Sequence, residues 1–132
     1  MKTFIIHSDG GARGNPGPAA IGAVIAAADG SEIQYISKTI GETTNNQAEY
    51  QAIIAGLEKA LEMGAEEAQC FLDSELVVKQ LNREYKVKNK ELAPLFVKVF
   101  NLSHQFKKVS FTHIFREANK EADRLVNEAL DA

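Results

Sequence analysis

Four acidic side chains in this 132-residue chain stand where chemistry could be done: Asp9, Glu49, Asp73 and Asp123. Asp9 follows the apolar run Phe4-Ile5-Ile6, and Asp73 closes Gln69-Cys70-Phe71-Leu72. Both read as carboxylates at the carboxyl ends of strands, where open α/β sheets place their functional crevice. Glu49 flanks the helical stripe Tyr50/Ile53/Leu57, and Asp123 flanks Ala122/Leu125/Val126, so each can reach the same crevice from a helix. Carboxylates do not gather unaided, because like charges raise one another's pKa. A compensating cation is needed, and oxygen ligands without His or Cys suit Mg²⁺, which keeps waters and binds substrate phosphates. Two such ions about 4 Å apart can activate a water and stabilise the leaving oxygen of an in-line phosphoryl displacement. The chain has 18 acidic residues, most of them expected in solvent, so residue type alone does not single out these four.

The elements that must position them read as follows. Residues 2–9 form a strand, and 10–18, with four glycines and two prolines, form a loop that excludes helix and regular strand. Residues 19–28 and 31–40 are strands joined by the Asp29-Gly30 turn. Thr44-Asn45-Asn46-Gln47 fits a capping box opening a helix that Gly64 stops. A strand at 69–72 precedes a helix over 74–82 with Leu76, Val77 and Leu81 on one face. A helix over 91–106 tolerates Pro94 only in its first turn, 109–115 alternates as a strand, and Ala118, Ala122, Leu125, Val126 and Ala129 line a last helix. This order predicts an α/β fold, a mixed five-stranded sheet with three antiparallel then two parallel strands, flanked by helices. The length fits a single domain over 1–132.

Composition bounds the class. Hydrophobic residues make up 45% and charged residues 25%, which excludes a disordered tail, a collagen-like fibre and a disulfide scaffold. The single cysteine, Cys70, reads as a small buried hydrophobe. No apolar run approaches the roughly 20 residues that span a bilayer, and Met1-Lys2-Thr3 leads into a strand without a signal-peptide core. The expectation is a cytoplasmic monomer with no membrane partner. Net charge is −3, but residues 79–108 hold eight basic and two acidic side chains, a local +6 against −9 elsewhere. Such a segment either binds a polyanion or is a solvated helix face. His7 and His104 have no sequence partner that suggests chemistry, and His113 reads as a strand residue.

Four blocks together resemble type 1 ribonuclease H, in family order and over essentially the whole chain. They are Asp9-Gly10-Gly11-Ala12-Arg13-Gly14-Asn15-Pro16-Gly17-Pro18, Thr44-Asn45-Asn46-Gln47-Ala48-Glu49-Tyr50, Asp73-Ser74-Glu75-Leu76-Val77-Val78-Lys79-Gln80 and Asn119-Lys120-Glu121-Ala122-Asp123-Arg124-Leu125. The resemblance implies a ribonuclease H-like fold and hydrolysis of the RNA strand of an RNA/DNA hybrid, leaving 5′-phosphate and 3′-hydroxyl ends. It implies two Mg²⁺ ions, with Mn²⁺ as a substitute, held by Asp9, Glu49, Asp73 and Asp123. It places Asn15, Asn45 and Asn46 on the hybrid's minor groove, and Thr44 and Asn89 in a pocket for a DNA-strand phosphate. Capping and turn roles for Thr44, Asn45 and Asn15 compete with these contacts. The segment from Asn82 to Glu91 is shorter than the basic protrusion of many members but keeps Lys86, Lys88 and Lys90 as a basic footprint. The loop His that many members carry is missing, leaving Arg116 or Glu117 as auxiliary groups. Whether duplex RNA is also cut stays open at this level.

Other readings are weaker. A nucleotide-binding loop lacks the Lys-Ser or Lys-Thr of a P-loop, and Pro16 and Pro18 interrupt a Rossmann turn. A non-catalytic hybrid- or RNA-binding module would gain little from four acids beside a phosphate backbone. A DNA nuclease of the same superfold lacks the amide-rich blocks suited to 2′-hydroxyls.

Overall fold

The sheet is built outward from its central strand. In the computed structural model, which describes residues 2–132, β1 (Thr3–Ala12) pairs antiparallel with β2 (Gly17–Ala27) and parallel with β4 (Glu67–Leu72). β3 (Ile33–Thr43) lies outside β2, and β5 (Lys108–His113) lies parallel outside β4, giving the order β3-β2-β1-β4-β5. The mixed sheet expected from the element order is the one observed. Strand alternation sends Phe4 and Ile6 of β1 into a core shared with Tyr50, Ile53 and Leu57 of α1 (Asn45–Glu62). Val77 of α2 (Glu75–Leu81) and Val99 of α3 (Ala93–Ser103) close the same core. The amphipathic α4 (Lys120–Asp131) buries Ala122, Leu125 and Val126 against β1, β2 and β3.

Two close approaches of backbone fix where the helices sit. A Cβ at Gly10 would lie 2.2 Å from the carbonyl of Ala48, so only glycine lets β1 touch the start of α1. A Cβ at Gly22 would lie 2.4 Å from the carbonyl oxygen of Ala122, so β2 likewise touches the start of α4. Ala48 precedes Glu49, and Ala122 precedes Asp123. These contacts therefore set the height of both acids relative to the end of β1.

Several sequence expectations shift. The glycine-rich stretch is not all loop: β1 runs on through Gly10, Gly11 and Ala12, paired with Ile21, Ala20 and Ala19, and only residues 13–16 form the turn. Gly10 and Gly17 serve close approaches of backbone and Gly14 takes a left-handed φ in the turn, whereas the pattern reads as a breaker throughout. β3 runs three residues beyond the expected end because its partner, β2, starts at Gly17. α3 is shorter than 91–106, because the Asn89 side chain closes a turn on the N–H groups of Glu91 and Leu92 before the helix begins. β5 ends at His113, so Phe115 leaves the sheet and is 75% exposed. In α2 the buried face is Val77, Val78 and Leu81, with Leu76 at the surface. Ala118 belongs to a 3₁₀ turn before α4. Cys70 is fully buried, as expected, and no helix among the described residues is long and apolar enough to cross a membrane.

Gly22→Ala tests the close approach. The added methyl must push α4 off β2, which is expected to destabilise the protein by about 1–3 kcal/mol and lower Tm by about 4–12 °C in thermal melts. An unchanged melt would show that α4 is not seated by this contact.

Candidate active site

The crevice lies at the carboxyl ends of β1 and β4, and Asp9, Glu49, Asp73 and Asp123 all line it. One carboxylate oxygen from each of Asp9, Glu49 and Asp73 lies within 4.8 Å of the others. Asp123, half-buried in the first turn of α4, stands beside this triad and helps to raise the Asp9 pKa, but it is not part of the cluster. The sequence thus placed four acids at one crevice, and the structure brings three of them to ligand spacing.

Each acid is delivered by a local device. α1 starts at a complete capping box: the Thr44 hydroxyl accepts from the Gln47 N–H at 3.2 Å, and Gln47 Oε1 accepts from the Thr44 N–H at 3.1 Å. That fixes the helix origin and puts Glu49 just over one turn in. Glu49 Oε1 accepts the Gly10 N–H at 2.7 Å, while its buried Oε2 meets no hydrogen-bond partner. Asp73 Oδ2 accepts from Asn119 Nδ2 at 2.8 Å.

Burial is the main reason that the Asp9 pKa is pushed up to about 6, with repulsion from Asp73 and Asp123 adding to it. A hydrogen bond with Glu49 works in the opposite direction. Glu49 is held well above the usual carboxylate range, chiefly by burial and then by Asp9. Without a cation, the raised pKa values favour the protonated form of this pair. With one, the same oxygens become ligands. A cluster of hard oxygen donors, one of them buried and unpartnered, fits a divalent cation.

The other expected site residues divide. Asn45 and Asn46 line the crevice. Asn45 Oδ1 accepts from the Ala12 N–H at 2.8 Å, and its own N–H donates to Asn15 Oδ1 at 2.9 Å, so the β1–β2 turn is tied to the start of α1. Asn15 and Thr44 border this tie without lining the crevice. Asn89 lies on the segment between α2 and α3 with Lys86, Lys88 and Lys90, all four exposed. Arg116, in the 3₁₀ turn (Arg116–Ala118), lines the crevice, whereas Glu117 does not. The difference follows from the turn itself, because neighbours in so tight a turn point apart. Arg13, Asn127 and Asn119 were not singled out from sequence. Arg13 lines the crevice and pairs with Asp131 at 2.6 Å, and Asn127 stands one turn beyond Asp123. Spacing from Asp123 was the available clue to Asn127.

Residues 7–129 match the family profile described as reverse transcriptase-like. The chain is 47% identical over 129 residues to the bifunctional protein Rv2228c of Mycobacterium tuberculosis, covering 97% of this chain and 35% of that one. The solved N-terminal RNase H domain of that protein superimposes with a TM-score of 0.93 at 45% identity, covering 98% of this chain and 99% of the domain chain. Ribonuclease HI of Halobacterium salinarum is 45% identical over 125 residues, 95% of this chain and 63% of its own length. The chain therefore spans between about a third and two thirds of the length of these curated relatives. The RNase H1 LC11, solved in complex with an RNA/DNA hybrid, has a TM-score of 0.88 at 44% identity, covering 97% of this chain and 96% of that one.

The raised Asp9 pKa has a sign that can be checked. A carboxyl that holds its proton more tightly when folded loses stability for the fold as pH rises from about 4 through about 6. In chelator at pH 7.5, Asp9→Asn is expected to melt about 4 °C or more above the wild type, the shift that about 1 kcal/mol produces in a domain of this size. The gap should close as pH falls below 6, and added Mg²⁺ should raise the wild-type melt more than the variant's. A variant that melts at or below the wild type at pH 7.5 would mean that the charged Asp9 does not cost the fold stability.

Proposed function

Because this chain belongs to the type 1 ribonuclease H family, we propose that it hydrolyses the RNA strand of RNA/DNA hybrids, leaving 5′-phosphate and 3′-hydroxyl ends. The observation that carries this reading is the convergence of Asp9, Glu49 and Asp73 to within 4.8 Å, with Asp123, Asn45 and Asn46 around the same crevice. In this reading Asp9, Glu49, Asp73 and Asp123 hold two Mg²⁺ ions, for which Mn²⁺ can substitute. When bound, such ions supply an activated water and neutralise charge on the scissile phosphate and leaving oxygen.

The chain's own residues do the rest. Asn45 has its Oδ1 committed to Ala12, which leaves its Nδ2 hydrogens for acceptors in the hybrid's minor groove. Asn46 lies beside it in the crevice, and Asn15 holds the adjoining turn. Arg116 has no ion-pair partner among the described residues and takes the place of the missing His as the cation next to the acids. Thr44 and Asn89 receive a phosphate of the DNA strand, and the exposed Lys86, Lys88 and Lys90 carry the electrostatic footprint. Nothing in this arrangement needs a second copy, and the proposed unit is a monomer. Duplex RNA presents the same 2′-hydroxyls and is the competing substrate to measure.

The test compares matched labelled hybrid, duplex RNA and duplex DNA, with Mg²⁺ or with chelator. Cleavage of the ribo-strand of the hybrid only with metal is expected, and Asp9→Asn should abolish it while retaining hybrid binding. Cleavage in chelator, or wild-type rates in the variant, would end the reading. Binding of hybrid without metal-dependent cleavage would instead make this a binding module.

Replacing Lys86, Lys88 and Lys90 together by Ala should lower the salt slope of hybrid binding by up to about 2.7, from roughly 0.9 per phosphate contact. An unchanged slope would place the footprint elsewhere.

A further inference from the structure

Asn119 is 1% exposed and sits where the 3₁₀ turn meets α4. Its Nδ2 group donates twice, to the Ser8 carbonyl at 2.9 Å and to Asp73 Oδ2 at 2.8 Å. Its backbone oxygen accepts the Asp123 N–H at 3.1 Å. One residue thus touches Asp73 directly, the backbone next to Asp9, and the backbone of Asp123. Its Oδ1 is buried without a partner. A buried acceptor left unmet costs about 1–3 kcal/mol, so the amide's orientation is dictated by its two N–H bonds and not by its oxygen. A filler of this space needs no N–H group at all, since Leu has nearly the same shape.

We infer that Asn119 is a positioning residue for cation binding, holding Asp73 Oδ2 so that the carboxylate keeps an oxygen within 4.8 Å of those of Asp9 and Glu49. The inference rests on the reading that these acids hold divalent cations. The physical need is plain. Asp73 is half-buried at a strand end and is repelled by Asp9 and Glu49. A free aspartate there would rotate away from its neighbours into solvent. Glu49 is held by the Gly10 N–H, and Asp73 has the Asn119 amide as the corresponding restraint. The amide also carries no charge, so it orients the carboxylate without competing as a counter-ion. Because the second N–H grips Ser8, the direction imposed on Asp73 is referenced to β1, the strand that carries Asp9.

The experiment is an Mg²⁺ titration of the whole chain followed by amide NMR shifts, with hybrid kinetics alongside. Asn119→Ala is expected to weaken Mg²⁺ binding about 10–100-fold, the usual effect of removing a group that orients a metal ligand. It should lower kcat with little change in KM for the hybrid. Asn119→Leu nearly keeps the shape and removes both donors without adding charge, so it serves if the alanine variant does not fold, and it should show the same loss. The deciding arm is Asp73→Ala: with the carboxylate gone, adding Asn119→Ala should leave Mg²⁺ affinity unaltered, because the amide then has no ligand to orient. Wild-type affinity in a folded Asn119 variant, or an equal loss in the Asp73→Ala background, overturns the inference and leaves the proposed function standing. A wild-type chain that binds no Mg²⁺ takes both down.

Discussion

Repulsion among buried carboxylates is the constraint on which this structure turns. Two unit charges 4.8 Å apart at an effective dielectric of about 20 repel by roughly 3–4 kcal/mol, a sizeable share of the 5–15 kcal/mol that holds a typical domain folded. The molecule can answer in two ways. It can keep a proton, as the raised pKa values of Asp9 and Glu49 indicate, or it can take up a cation. Every nearby structural device opposes the third answer, which is to let the side chains swing apart.

Those devices come from separate parts of the chain. The glycine at position 10 lets α1 approach β1 and gives its N–H to Glu49. The glycine at position 22 seats α4 close to the same strand end. The Asn119 amide binds β1 and β4 together across their carboxyl ends. No two neighbouring elements suffice, so the crevice exists only once the central sheet and both helix layers are in place. The site and the fold therefore share one set of contacts, and the acids lower the stability of the scaffold that gathers them until their charge is neutralised.

How much of this the sequence exposes depends on range. Local chemistry is legible: the Thr44 capping box, Pro94 in the first turn of α3 and Asp73 just past the end of β4 all depend on neighbours a few positions away, whereas Asp9 lies inside β1 and not at its end. Close packing is not. Gly10 looks like a chain breaker, and its use as a contact point appears only once α1 lies across it. The sequence puts Leu76, Val77 and Leu81 on one helix face, and the fold buries Val78 in place of Leu76. Asn119 is only the first residue of its block in the sequence, and its side chain caps nothing but reaches Ser8 of β1 and Asp73. The spacing of Asp123 permits four converging acids, and the actual pitch of α4 leaves it beside the other three.

The charge layout gives the proposed activity its order of events. A phosphate backbone is repelled by the acidic crevice and attracted by Lys86, Lys88 and Lys90, which have no ion-pair partner among the described residues and lie outside the crevice lining. Attraction and chemistry are thus set in different places, and a net charge of −3 does not argue against a polyanionic substrate. The repulsive part is removed only when cations occupy the acids. With cations held by Asp9, Glu49 and Asp73, the crevice would no longer repel a phosphate backbone. By linkage the effect must run both ways: cations tighten the hybrid, and the hybrid tightens the cations by the same factor. In the proposed activity, Asp9, Glu49 and Asp73 would hold cations more tightly with the hybrid bound than without it.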